Sequence, residues 1–169
     1  MDGVELEAQG HLIGQFLSPF TNELETEYGG NFNNRLRFTL DVLSEIRKKV
    51  GKNFIVGIRC VFDEVESGGI TKTEGFKIAK ILSDSGLVDY ININRGRIHN
   101  DPILTKHIPI QGMKTAPHLE FAGEIKKVVN LPIFHASKIS DVATARYAIS
   151  NGLVDMVGMT RGHLADPHI

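Results

Sequence analysis

The chain has 169 residues, of which 41% are hydrophobic and 23% charged, and its net charge is −1. That length suits one domain with a real core, not two, and the balanced charge leaves no footprint for nucleic acid or an anionic membrane. One cysteine, Cys60, excludes an internal disulfide and a multi-thiolate metal site. No apolar run approaches the roughly 20 residues of a membrane span, and the acidic start MDGVELEAQG does not read as a signal peptide. Cytoplasmic residence is the expectation. The seven histidines are scattered, which favours unrelated side chains over a metal cluster.

The first strand is expected over 4–7. An apolar turn and a long polar loop follow, carrying Pro19, Asn22, Gly29 and Gly30. Loops of that length without regular structure are uncommon in compact domains unless they serve a function. A helix is expected over 33–50, capped by Asn31 or Asn33, with Leu36, Leu40, Leu43, Ile46 and Val50 on one stripe. FIVGIR (54–59) reads as a strand, 72–85 as a helix stopping at Gly86, and VDYINI (88–93) as a strand. A long loop is expected to about Thr115. A helix opened by Pro117 runs to about Val129, followed by a strand at 132–135, a helix at 141–150 and a last strand at 154–159. The alternation predicts a parallel sheet with right-handed helical crossovers. The repeated Gly-Leu-Val-Asp at 86–89 and 152–155 supports repeated αβ units.

Alternate strand residues point to opposite faces. One face is expected to collect Val4, Leu6, Phe54, Val56, Ile58, Ile91, Ile93, Phe134, Val157 and Met159. The other collects Glu5, Glu7, Ile55, Gly57, Arg59, Tyr90, Asn92, Asn94, His135, Gly158 and Thr160. A sheet covered by helices on both sides should be apolar on both; one polar face predicts a barrel holding a polar ligand. A (β/α)₈ barrel needs about 200 residues or more. The fold class is therefore α/β, a parallel (β/α) barrel of TIM type, present over 1–169 as one partial domain of five strands and four long helices.

GQFLSPFTNELETEYGGNFNNRLRF (14–38) resembles the loop and helix after strand 4 of flavin-dependent TIM-barrel enzymes of the old yellow enzyme and NADH:flavin oxidoreductase family. VGIR (56–59) and LPIFHASKISDVATARYAISNGLVDMVGMTRGHLADP (131–167) resemble strands 5, 7 and 8 of the same barrel. Within the family the likeness is greatest to the amine-oxidising branch of trimethylamine, histamine and dimethylglycine dehydrogenases and demethylases. EAQGHL (7–12), TAPHLEFAGE (115–124) and GMTRGHLADPHI (158–169) carry it. There are departures. Leu24 and Thr26 stand where the family loop usually has an Arg and an Asp, so that ion pair is expected to be absent. Strands 1 to 3, the iron–sulfur segment and the nucleotide-binding domains of longer relatives have no counterpart.

The resemblance implies FMN as cofactor. It places Arg59 beside the pyrimidine edge of the flavin, where a fixed guanidinium stabilises negative charge on the reduced ring; the alternative is a structural ion pair with Glu7, and both can hold. It places Lys138 and Arg161 at the phosphate, in the loops after strands 7 and 8, with Ser137, where the family commonly has a glycine, and Thr160 also among the cofactor-binding residues. The alternative for Lys138 and Arg161 is a solvated loop charge. Where ene-reductases of the family grip a substrate carbonyl with a His pair or His and Asn, this chain offers Glu7 and Gln9, with His11 displaced. A carboxylate suits a cationic amine better than an enone oxygen. His11 reads equally as a packing residue. Tyr90, Asn92, Asn94, Arg95 and Arg97 cluster at the end of strand 6, and one or two of them are expected in the substrate pocket. The loop 97–117 is either a lid over that pocket or an ordered surface connection.

The resulting expectation is an FMN-dependent oxidoreductase that demethylates a small N-methylated amine by hydride transfer to flavin N5. Alternatives are an NAD(P)H-dependent ene-reductase on the same scaffold and a half-barrel that self-associates without flavin. Partners are expected to be a small-molecule substrate and either a second copy or the remainder of a longer chain, because a partial barrel leaves open strand edges.

Overall fold

Five parallel strands form one sheet in sequential order: β1 (Gly3–Ala8), β2 (Ile55–Val61), β3 (Tyr90–Asn94), β4 (Ile133–His135) and β5 (Met156–Val157). A computed structural model describes residues 1–169. Each consecutive strand pair is bridged by a helix: α2 (Phe32–Val50), α3 (Lys72–Asp84), α5 (Leu119–Lys126) or α6 (Val142–Ser150). This is the predicted TIM-type partial barrel. It is not closed; β1 and β5 are its edges.

Local chemistry explains the elements. Asn31, Thr71 and Asp141 cap α2, α3 and α6 by accepting the amide protons of Asn34, Glu74 and Thr144. The two Gly-Leu-Val-Asp repeats have a common physical role. Gly86 and Gly152 take φ of 67° and 64°, left-handed backbone that glycine adopts readily. The aspartate that follows enters the next strand and accepts an amide proton from the strand beside it. Val56 N donates to Asp89 at 2.7 Å and Ile133 N to Asp155 at 2.8 Å. Each carboxylate also pairs with a cation from the helix before that neighbouring strand, Arg47 for Asp89 and Lys126 for Asp155, at 2.8 and 2.7 Å. Partial burial opposes ionisation of both, but the hydrogen bonds and cations win and hold both carboxyls below their usual range.

Three short helices were not expected: α1 (Leu12–Leu17), α4 (Asp101–His107) and α7 (Thr160–Ala165). The signal for α4 was present, since Asn100 caps it by accepting from Ile103 N and Pro102 sits in its first turn. Helix α5 starts at Leu119 rather than at Pro117, because residues 115–118 turn so that Ala116 N donates to Lys138 O. Strand β5 is shorter than expected: it is an edge, paired only where the three-residue β4 faces it.

The apolar face of the sheet packs on the helices. Val56, Ile58, Ile91, Ile93 and Ile133 are fully buried with Leu43, Ile78, Leu82 and Ile125. The expected parity holds in β1, β2, β3 and β5 and is inverted in β4. Ile93 aligns with His135 and Asn92 with Phe134, so His135 belongs to the helix-facing core and Phe134 to the polar face.

The long loop 18–31 is ordered without the family's ion pair. Asn22 donates to the Phe16 and Tyr28 carbonyls at 2.7 Å each and accepts from Leu24 N. Buried Arg35 donates to the Leu17 and Gly30 carbonyls and pairs with Glu74. Breaking a buried ion pair on one side costs about 3–5 kcal/mol. Arg35→Ala should destabilise the protein by that amount in urea unfolding, and limited proteolysis should cut first within 18–31.

His135 donates Nδ1–H to the Ile93 carbonyl at 2.8 Å, and its Nε2 has no partner. Burial pushes its pKa down to about 4; burial lowers His107 and His118 likewise. The fold holds the neutral ring, whereas the unfolded chain protonates near 6.5. Stability is therefore complete above about 6.5 and falls as pH drops from there toward about 4. At pH 5.5 His135 alone should cost about 1.4 kcal/mol relative to pH 7.5. His135→Gln keeps a donor for Ile93 but cannot ionise, so it should flatten the urea-unfolding profile.

Candidate functional site

The register stacks the polar face in tiers. Glu5, Gly57 and Tyr90 align across β1–β3, and Glu7, Arg59, Asn92, Phe134 and Met156 align across all five strands. Gln9, Asn94, Ala136 and Gly158 stand above them at the C-terminal ends. Arg59 pairs with Glu5 at 2.6 Å and lies 3.7 Å from Glu7. The predicted Glu7–Arg59 adjacency is thus present, with Glu5 the nearer carboxylate. The Tyr90 hydroxyl and Asn92 Nδ2 both donate to Glu5, at 2.9 and 3.0 Å. Tyr90 reaches Glu5 by lying across Gly57, where a Cβ would stand 2.1 Å from the ring. Burial, then the hydrogen bond to Glu5, pushes its phenol up to about 12.

Above this network opens a cleft of about 350 Å³. Gln9, Arg59, Asn92, Asn94, Ser137, Lys138, Thr160 and Arg161 line it, together with His107, Ile108, Pro109 and Phe134. It adjoins a second cavity of about 330 Å³ that shares Lys138, Gly158, Thr160 and Arg161. Eight of the eleven predicted site residues therefore meet in one cleft. Glu7 and Tyr90 sit beneath it in the ion-pair network. His11 stands apart: it is the exposed N-cap residue of α1, its side chain makes no capping hydrogen bond, and it lines none of this cleft.

Arg95 and Arg97 turn away. Arg95 pairs with Asp63 at 2.8 Å, and Arg97 is buried 3.7 Å from Glu64 with its guanidinium 3.5 Å over the Phe20 ring. Glu64 in turn accepts from Ser18 Oγ and Ile70 N, so these arginines tie together the loops after β1, β2 and β3. Lys138 takes φ of 52° and donates to the carbonyls of Ile110 and Met113. Arg161 reaches the Pro109 carbonyl at 3.4 Å. Both cations thus contact the segment 109–113 that borders the cleft.

Sequence reasoning passed over Glu5, although parity had put it on the polar face. It missed Phe134 through the inverted parity of β4, and His107 through the unrecognised α4. The Asn-Asp-Pro start of α4 was the signal that could have found the latter.

The residues fit FMN. The Ser137 hydroxyl is buried without a partner, Arg161 is exposed at the rim, and Arg59 keeps a side-chain exposure of 38% toward the cleft. These are donors without full occupation on a polar surface, as a phosphate and a flavin edge require.

Comparison with known proteins agrees. The chain is 62% identical over 169 residues to a probable N-methylproline demethylase of Rhizobium meliloti (strain 1021). It is 46% identical over 170 residues to a multifunctional alkene reductase/demethylase of Caballeronia cordobensis. Each match covers the whole chain but about a quarter of the relative. A solved 2-naphthoyl-CoA reductase superposes with a TM-score of 0.90 at 31% identity, over 99% of this chain and 25% of that one. Residues 1–169 match the NADH:flavin oxidoreductase / NADH oxidase family throughout, and the chain belongs to that family of FMN oxidoreductases.

Proposed function

We propose that this cleft holds FMN and that the protein oxidises a small N-methylated amine at its methyl carbon, the resulting iminium being hydrolysed by water to the demethylated amine and formaldehyde. The observation that carries the reading is the separation of charge across the cleft. Carboxylates Glu5 and Glu7 lie beneath its β1 side, paired with Arg59, whereas Lys138 and Arg161 line it beyond β4 and β5. An anionic phosphate suits the second end and a cationic amine the first. Arg161 and Ser137 would hold the phosphate, with Thr160 beside them and Lys138 shared between it and the 109–113 segment. Arg59 would face the flavin edge, and Glu7 with Gln9 would receive the amine. Bound FMN would supply the acceptor for the hydride leaving the N-methyl carbon. The demethylase names of the relatives at 62% and 46% identity support the choice of substrate.

Alkene reduction on the same scaffold is the second reading, favoured by the double name of the Caballeronia cordobensis relative. Anaerobic mixing separates the two: N-methylated amines should bleach the bound flavin, whereas the second reading requires NAD(P)H to bleach it and an activated alkene to restore it.

The open edges β1 and β5 carry unpaired backbone groups. In this proposal they are met by further barrel strands, from the same polypeptide or a second copy, and light scattering of the purified chain distinguishes these. No helix is long and apolar enough to cross a membrane. The single, fully buried Cys60 thiol suits the reducing cytoplasm, where the proposal places the enzyme.

Charge-assisted hydrogen bonds contribute about 1.5–3 kcal/mol. Arg161→Ala should therefore weaken FMN binding roughly 10- to 150-fold, while riboflavin, lacking the phosphate, should bind wild type and variant alike. Equal losses for both in fluorescence titration would make Arg161 structural.

A further inference from the structure

We propose that Glu5 is a positioning residue, the anchor that fixes the Arg59 guanidinium beneath the cleft. Three donors from two strands converge on its carboxylate. Arg59 Nη2 holds one oxygen at 2.6 Å, while the Tyr90 hydroxyl and Asn92 Nδ2 share the other. A carboxylate gripped on both oxygens cannot turn, and the arginine it holds is fixed with it. The anchor is built into the backbone as well. Gly57, the register partner of both Glu5 and Tyr90, must lack a side chain for the phenol to cross β2. Glu7 is the only other carboxylate paired with Arg59 and sits 3.7 Å away, one tier nearer the C-terminal edge. Without Glu5 the guanidinium would move toward Glu7 and change what it presents to the cleft.

The anchoring stands on this geometry alone; its consequence for a flavin rests on the function proposed above. The two are tested separately. In the flavin-free protein, the Arg59 side-chain NMR signal, assigned by its loss in Arg59→Lys, should show N–H protons protected from exchange. Glu5→Gln should raise their exchange rate roughly 10-fold, as loss of a charge-assisted bond predicts. Tyr90→Phe keeps the carboxylate but removes one of its donors, and should lower the protection less than Glu5→Gln does. If Glu5→Gln does not fold, Gly57→Ala, which displaces Tyr90, supplies the second perturbation and should lower protection without removing any charge. Unchanged protection in the variants that fold overturns the anchoring.

With flavin bound, the sign of the midpoint-potential shift decides how Glu5 acts. If Glu5 works through Arg59, Glu5→Gln misplaces the cation that stabilises the reduced ring and the potential falls. If Glu5 acts only as a nearby negative charge, removing it raises the potential. A rise, or no shift, overturns the role toward the flavin. Failure of the wild-type protein to bind FMN would sink the proposed function and leave the exchange measurement to decide the anchoring.

Discussion

A guanidinium on the polar face of a sheet must be matched by carboxylates, and the parallel register decides whether they are within reach. In this sheet Glu5, Gly57 and Tyr90 share one tier and Glu7, Arg59 and Asn92 the next. Sliding β2 by one residue would send Arg59 into the apolar core and Ile58 into the cleft, because side chains alternate along a strand. Register is in turn held by the aspartates that open β3 and β5. Each takes one amide proton from the adjacent strand and one cation from a helix. The repeated Gly-Leu-Val-Asp is thus a clamp on alignment, and the charge layout of the cleft depends on it.

The same constraint explains which parts of the molecule were legible in sequence. Four strands announce their faces, three because polar or small residues alternate with apolar ones over five or more positions and β5 because Val157, Gly158, Met159 and Thr160 alternate up to the start of α7. Strand β4 is three residues long, Ile-Phe-His, and all three side chains are compatible with burial. Nothing in so short a run says that the ring of His135 lies in the core, its Nδ1 satisfied by Ile93 O, while Phe134 borders the cleft. Hydrophobicity ranks the two the wrong way round; only the neighbour's register corrects it. The long segment after β3 failed differently. Its turn chemistry was readable at Asn100-Asp101-Pro102, but a seven-residue helix carries too little periodicity to stand out from a loop.

Long-range pairing was legible where a charged residue stood on a strand and obscure where it stood on a loop. Arg59 and Glu7 follow from parity alone. Arg95, Arg97 and Lys138 do not, because a loop cation can face the cleft, solvent or a backbone carbonyl with equal sequence support. The structure sends two of these three into ion pairs that join the loops after β1, β2 and β3, and the third into the carbonyls of 110 and 113. Buried arginines do best with a planar partner. Arg97 has one in the Phe20 ring, which supplies attraction without demanding a second carboxylate.

The cleft then acquires its character from the division of labour among the cations in and around it. Arg35 and Arg97 stiffen the loops, and Arg59 is fixed from below by Glu5. Lys138 and Arg161 alone contact a segment bordering the opening, through carbonyls at 109, 110 and 113. A backbone carbonyl is a weaker partner for a cation than a carboxylate or phosphate. An anion entering beside Ser137 would therefore compete successfully for these two side chains, whereas it could not take Arg59 from its carboxylate. The rim of the cleft is adaptable for this reason and its floor is not. Such an arrangement would suit a phosphate-bearing ligand at one end while keeping the charge at the other end in a fixed place.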